Sequence, residues 1–122
     1  MNAREVARKL VELCREGRNR DAVEELYSES VVSVEAATPP GEDRAVEGMD
    51  AVLRKNDWWT ENHEVHASSV EGPFFHGDDK FAAIFEFDAT YKPDDLRTEM
   101  HEVAVYTVQN GKVVREEFFY DT

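Results

Sequence analysis

The stretch from Phe81 to Tyr91 limits the fold of this chain more than any other. Phe81, Ala83, Phe85, Phe87, Ala89 and Tyr91 occupy alternate positions, with Ala82, Ile84, Glu86, Asp88 and Thr90 between them. A period of two held for eleven residues suits a β-strand and no helix. One face carries four large aromatics, and burying each is worth about 2 kcal/mol, so a second layer has to cover it. The flanking sequence extends the sheet. Glu64 to Phe75 alternates in part, and His76-Gly77-Asp78-Asp79 turns the chain. After a second turn at Lys92-Pro93-Asp94-Asp95, Arg97 to Val108 reads as a long strand. Asn110-Gly111 is the two-residue type I′ hairpin signal, and Lys112 to Tyr120 closes the sheet.

The first half of the chain reads as helix. Asn2 with Glu5 has the spacing of a capping box, and Val6, Leu10, Leu13 and Cys14 share one helical face that Gly17 ends. Asp21 with Glu24 repeats the capping signal for a short second helix through Leu26 and Tyr27, and Val31 to Ala36 reads as a strand. Thr38 to Glu47, with Pro39, Pro40 and Gly41, reads as a loop. A third helix starts at Gly48, sets Met49, Val52, Leu53, Asn56 and Trp59 on one side, and ends near His63. The expected order is α-α-β-α-β-β-β-β. This is an α+β fold in one domain over residues 1–122, with three N-terminal helices packed on one side of a strongly curved antiparallel sheet.

Charge excludes whole classes of partner. Fourteen Lys and Arg face 27 Asp and Glu, a formal net charge of −13, and no basic stripe offsets it. Nucleic acid and anionic membrane surfaces, which are bound by neutralising phosphates, are not expected partners. The longest apolar run, Phe81 to Phe85, is too short to span a bilayer. Cys14 is the only cysteine and the start MNAREVARK has no apolar signal-peptide core, so a cytoplasmic location is expected.

Three N-terminal helices interrupted by LYSESVVSVEA, then GMDAVLRKNDWW, four long strands and the ending AVYTVQNGKVVREEFFYD resemble the NTF2-like superfamily. Within it the SnoaL-like and ketosteroid-isomerase-like branch is the nearest. The resemblance spans essentially the whole chain, and the order and spacing of the motifs carry it. It implies the cone-shaped cystatin-like fold, a pocket with mostly apolar walls, and frequent homodimerisation through the outer sheet face. The last strand agrees: Glu117 and Phe119 alternate with Glu116, Phe118 and Tyr120, so both faces carry aromatics and both ask for cover. The superfamily includes isomerases, polyketide cyclases, epoxide hydrolases, dehydratases and non-catalytic modules, among which fold does not choose.

Glu35, at the end of the first strand, stands by this resemblance where ketosteroid isomerases carry their general-base Asp; a strand-end carboxylate in water is the competing reading. The oxyanion Tyr of that family would fall near Leu10 or Val11, which donate no hydrogen bond, so the classical isomerase is not expected. Glu102 shares a strand face with Met100, Ala104 and Tyr106. If that face is the inner one, Glu102 is desolvated and able to give or take a proton; if the Val103 and Val105 face is inner, it is solvated. Glu86 and Asp88 lie opposite the aromatic face and are expected in water. An epoxide-hydrolase set of Asp-Arg-Asp would need Arg97 or Arg115 with an acid where Phe118 stands.

His63-Glu64-Val65-His66 straddles a helix end and a strand start, so no metal is expected there. His63 is read either as a polar handle at a pocket mouth or as a helix C-terminal cap. Tyr27, Trp58, Trp59, Phe75, Phe118 and Tyr106 are candidate pocket walls. No motif asks for a nucleotide or another cofactor. The expected function is binding of a small, largely apolar organic molecule. Glu35 would serve as base, with Glu102 or His63 as proton donor or orienting group, in isomerase, cyclase or dehydratase chemistry. The alternative is a non-catalytic ligand-binding or dimerisation module. Convergence of two carboxylates in one accessible cavity separates the two readings.

Overall fold

Asn2 accepts the Glu5 amide at 2.9 Å while the Glu5 carboxylate takes the Asn2 amide at 3.3 Å. This capping box opens helix α1 (Ala3–Arg15) in the computed structural model, which describes residues 1–122. Val6, Leu10 and Leu13 fall three or four apart and are buried together on one face of α1. Helix α2 (Asn19–Leu26) begins without a side-chain cap. Asp21 instead pairs with Arg18 at 2.8 Å, so the capping role expected of it is not filled. Tyr27 caps the C-terminus of α2, its amide donating to the Val23 carbonyl, and opens strand β1 (Tyr27–Val34).

The expected loop contains a short strand, β2 (Ala45–Glu47), antiparallel to β1. Helix α3 (Met49–Asn62) and strands β3 (His63–His76), β4 (Lys80–Tyr91), β5 (Leu96–Gln109) and β6 (Lys112–Phe119) follow. The observed order is therefore α-α-β-β-α-β-β-β-β. The sheet has six strands in the order β2-β1-β6-β5-β4-β3. It is mixed rather than purely antiparallel, because β1 pairs with β6 in parallel. These two strands stand at opposite ends of the chain, and no turn between them fixes their direction.

Irregularities bend the sheet. Register shifts interrupt β3 between Val65 and Ala67 and between Glu71 and Phe74, and such bulges sharpen curvature and twist. At the second, Gly72 has φ 122°, and a Cβ there would stand 3.1 Å from the Ala82 carbonyl oxygen. A side chain there is strained by the backbone conformation and would press on the Ala82 carbonyl. On the concave face, Phe81, Ala83 and Phe85 of β4 and Ala104 and Tyr106 of β5 are buried, as the alternation predicts. The Val6, Leu10 and Val11 side chains of α1 join the same core. Where α3 crosses the sheet, the space between them stays open. No helix is long and apolar enough to cross a membrane.

Candidate active site

The opening between α3 and the concave face is a cavity of about 1130 Å³, on the scale of small-molecule sites. Strand alternation aims Glu102 into it from β5 and Glu116 and Phe118 into it from β6, while Glu35 enters just past the end of β1. Helix α3 contributes Lys55 and Trp59, one turn apart.

A chain of hydrogen bonds runs along the cavity wall. The Tyr120 hydroxyl donates to Glu35 Oε2 at 2.9 Å, and Lys55 Nζ donates to Glu35 Oε1 at 2.7 Å. Lys55 Nζ also donates to Ser33 Oγ at 2.6 Å, which in turn donates to Glu116 Oε1 at 2.8 Å. The other Glu116 oxygen takes the Tyr27 hydroxyl. Glu35 and Lys55 keep 26% and 28% of their side-chain surface in water, so this end of the chain meets solvent. Glu116 and Tyr27 are buried.

Burial, opposed by the Lys55 charge, controls the protonation states. Glu102 is pushed up to about 7, first by burial, then by the Glu35 charge, with Lys55 pulling the other way. Burial also raises Glu116, against the hydrogen bond from Tyr27, the Lys55 charge and the Ser33 hydroxyl. Tyr120 is pushed up to about 12 by burial and by its bond to Glu35. Burial, and then Glu116, push the Cys14 thiol up to about 12, which suits the packed, unreactive cysteine read from its helical position. Glu102 is thus a carboxyl free of any bonded partner and poised near neutrality, the condition that suits a proton-transfer group.

His63 ends α3, and its Nδ1 lies 2.7 Å from the Trp59 carbonyl oxygen. A carbonyl only accepts, so Nδ1 carries the proton. The imidazole stacks on Trp59 with ring centroids 4.2 Å apart, and His66 turns away to Thr90 at 2.7 Å. His63 is therefore both the helix cap and part of an aromatic wall that Trp58, Tyr91 and Phe87 continue.

Glu35, Glu102 and His63 all line this one cavity, as do Tyr27, Trp58, Trp59, Phe118 and Tyr106. Phe75 does not. It packs beside α1, with the Arg4 guanidinium 4.2 Å above its ring, because the far end of β3 meets α1 and not α3. Leu10 and Val11 are sealed in the core, so no residue at the expected oxyanion position reaches the cavity. Asp88 is paired outside with Arg97 at 2.8 Å.

Sequence reasoning missed Lys55, Ser33, Tyr120 and the part played by Glu116. Two signals were present: Lys55 lies three residues after Val52 and four before Trp59, on the inner stripe of α3, and Glu116 alternates with Phe118 and Tyr120.

A curved sheet wrapped around three helices with a polar chain inside the cone defines an NTF2-like, cystatin-like protein. The SnoaL-like domain family matches residues 1–120, and the chain belongs to that family. A solved structure from Mesorhizobium loti, named as a candidate SnoaL-like polyketide cyclase, is 42% identical to it. The match covers 98% of this chain and 100% of that one, with a TM-score of 0.91. A candidate isomerase from Bacillus subtilis is 20% identical over 99% of this chain and 90% of that one, TM-score 0.79. An NTF2-like protein of unknown function from Burkholderia pseudomallei is 17% identical over 99% of this chain and 92% of that one, TM-score 0.76. These last two share the fold. Among curated proteins none matches.

Proposed function

We propose that this chain is an acid–base enzyme of isomerase, cyclase or dehydratase type, acting on a small, largely apolar organic molecule held in the cone. The observation that carries this reading is the convergence of Glu35 and Glu102 on one accessible cavity, with Lys55 among them. The candidate cyclase and isomerase names of similar structures agree with it. Glu102 takes a proton from the carbon between a carbonyl and a carbon–carbon double bond, and the electron pair moves onto the carbonyl oxygen. As the pair returns through the shifted double bond, Glu102 delivers the proton to the far alkene carbon. Two of the three Lys55 protons are held by Glu35 and Ser33. The third faces the growing oxyanion, which makes Lys55 the electrostatic stabiliser that the buried Leu10 and Val11 cannot be. Both Glu35 oxygens already accept hydrogen bonds, so Glu35 holds Lys55 in place and leaves the base role to Glu102.

The test is exchange of the α-protons of a bicyclic ketone, 2-tetralone, into deuterated water, followed by proton NMR. The wild-type chain is expected to accelerate exchange, and Glu102→Gln to reduce the acceleration roughly 100- to 10,000-fold with the fold intact. Equal exchange with and without the Glu102 carboxyl removes it from the mechanism. A binding module without turnover is the second reading, favoured by the full set of donors on Glu35.

The outer sheet face supports a homodimer. Phe119, Val103 and Ile84 stand side by side in register across β6, β5 and β4, and Phe119 is 53% exposed. Phe119→Glu is expected to halve the mass measured by light scattering without changing the circular dichroism spectrum. A wild-type chain that runs as a monomer contradicts the proposal.

A further inference from the structure

We infer that the cavity selects an organic cation, an apolar skeleton carrying a protonated amine, with the ammonium group between the aromatic wall and Glu102. This rests on the reading of the cavity as the substrate site and narrows its substrate class.

Charge around the cavity argues against an anionic ligand. The cavity lining sets seven carboxyls against two fixed cations, Lys55 and Arg44, and two imidazoles, His63 and His101. Lys55 is paired with Glu35 at 2.7 Å and has one proton left over, and the Arg44 Nε donates to the Glu35 carbonyl oxygen at 2.9 Å. A carboxylate or phosphate on the ligand would meet a lining in which carboxyls outnumber the fixed cations seven to two, in a chain of net charge −13.

Two features favour a cation over a neutral molecule. The first is the aromatic wall. Trp59 packs 5.1 Å from Phe87 and stacks on His63, while Trp58 lies 6.2 Å from Tyr91 and is 53% exposed. Ring faces carry negative potential and attract ammonium groups, most strongly where water is excluded. The second is Glu102. Its neighbour across the sheet is Phe85, and Phe87 lies two residues further along the same face, opposite Met100. The carboxyl is thus within reach of a ligand lying along the wall. It has no ion-pair or hydrogen-bond partner of its own, whereas Glu35 and Glu116 have both oxygens occupied.

Three probes of one shape and different charge test this by calorimetry at about pH 8, above the point at which Glu102 gives up its proton: 1-naphthylmethylammonium, 1-naphthylmethanol and 1-naphthylacetate. The ammonium probe is expected to bind about tenfold or more tightly than the alcohol, and the acetate most weakly. Glu102→Gln should bring the ammonium probe down to the level of the alcohol while leaving the alcohol unchanged. Equal affinities, no binding by any of the three, or a preference that survives Glu102→Gln overturns the inference. Proton exchange on the neutral ketone reports separately. Exchange that depends on Glu102 without a preference for the ammonium probe sinks the charge assignment alone, and the reverse result sinks the acid–base reading alone.

Discussion

Glu102 shows how one half-buried carboxyl links protonation to stability. Its ordinary ionisation near 4.5 is pushed up to about 7. Between those pH values the folded chain holds a proton that the unfolded chain has released, so stability falls as pH rises through this window. Above it the loss is complete, at most on the order of 3 kcal/mol. Glu102→Gln should therefore melt above the wild type at about pH 8 and level with it near pH ~4, a difference that thermal unfolding at the two pH values reads directly. Lys55 works in the opposite sense, since its charge pulls Glu102 down. Lys55→Met should move the Glu102 midpoint upward and, by stripping Glu35 and Ser33 of a partner, cost roughly 1–2 kcal/mol, a partly exposed pair counting for less than a buried one. A Glu102 midpoint that falls in Lys55→Met contradicts the arrangement.

At the scale of elements, local pattern and long-range pairing divide what could be read in advance. The capping box of α1 was legible because both partners lie within one turn, and Asn2→Ala should lower unfolding stability by about 1 kcal/mol with an unchanged denaturant slope. The β4 alternation was legible for the same reason, as was the hairpin at Asn110 and Gly111, whose φ values of 52° and 74° suit the type I′ turn. Strand β2 was not: three residues exist as a strand only because Val32, Ser33 and Val34 offer them an edge. Nor was the parallel pairing of β1 with β6, which no local signal encodes. Tyr27 closes α2 and opens β1, and the partner of its hydroxyl, Glu116, lies 89 residues on, beyond any local pattern. The site follows the same division. Alternation placed Glu102 on one of two faces and burial of Ala104 and Tyr106 decided which, while the partnership of Lys55 with Glu35 needed three dimensions.

The whole molecule combines a strongly acidic surface with an interior where three carboxyls share one lysine. Burial raises Glu102 and Glu116 together, so the fold should be more stable in mild acid than in mild base until its solvated carboxylates lose their charge. The cone wall also explains why Phe75 and the pocket aromatics part company. β3 and β4 are long enough to serve α1 at one end and the α3 cavity at the other.

The most direct test is a carbon-detected NMR titration of the glutamate carboxyls in the intact protein, with Glu102 assigned by its loss in Glu102→Gln. The expected result is a Glu102 midpoint near about 7. A Glu102 carboxyl that titrates like an unperturbed glutamate, near pH ~4.3, would place it in water and contradict a desolvated proton-transfer group in the cavity.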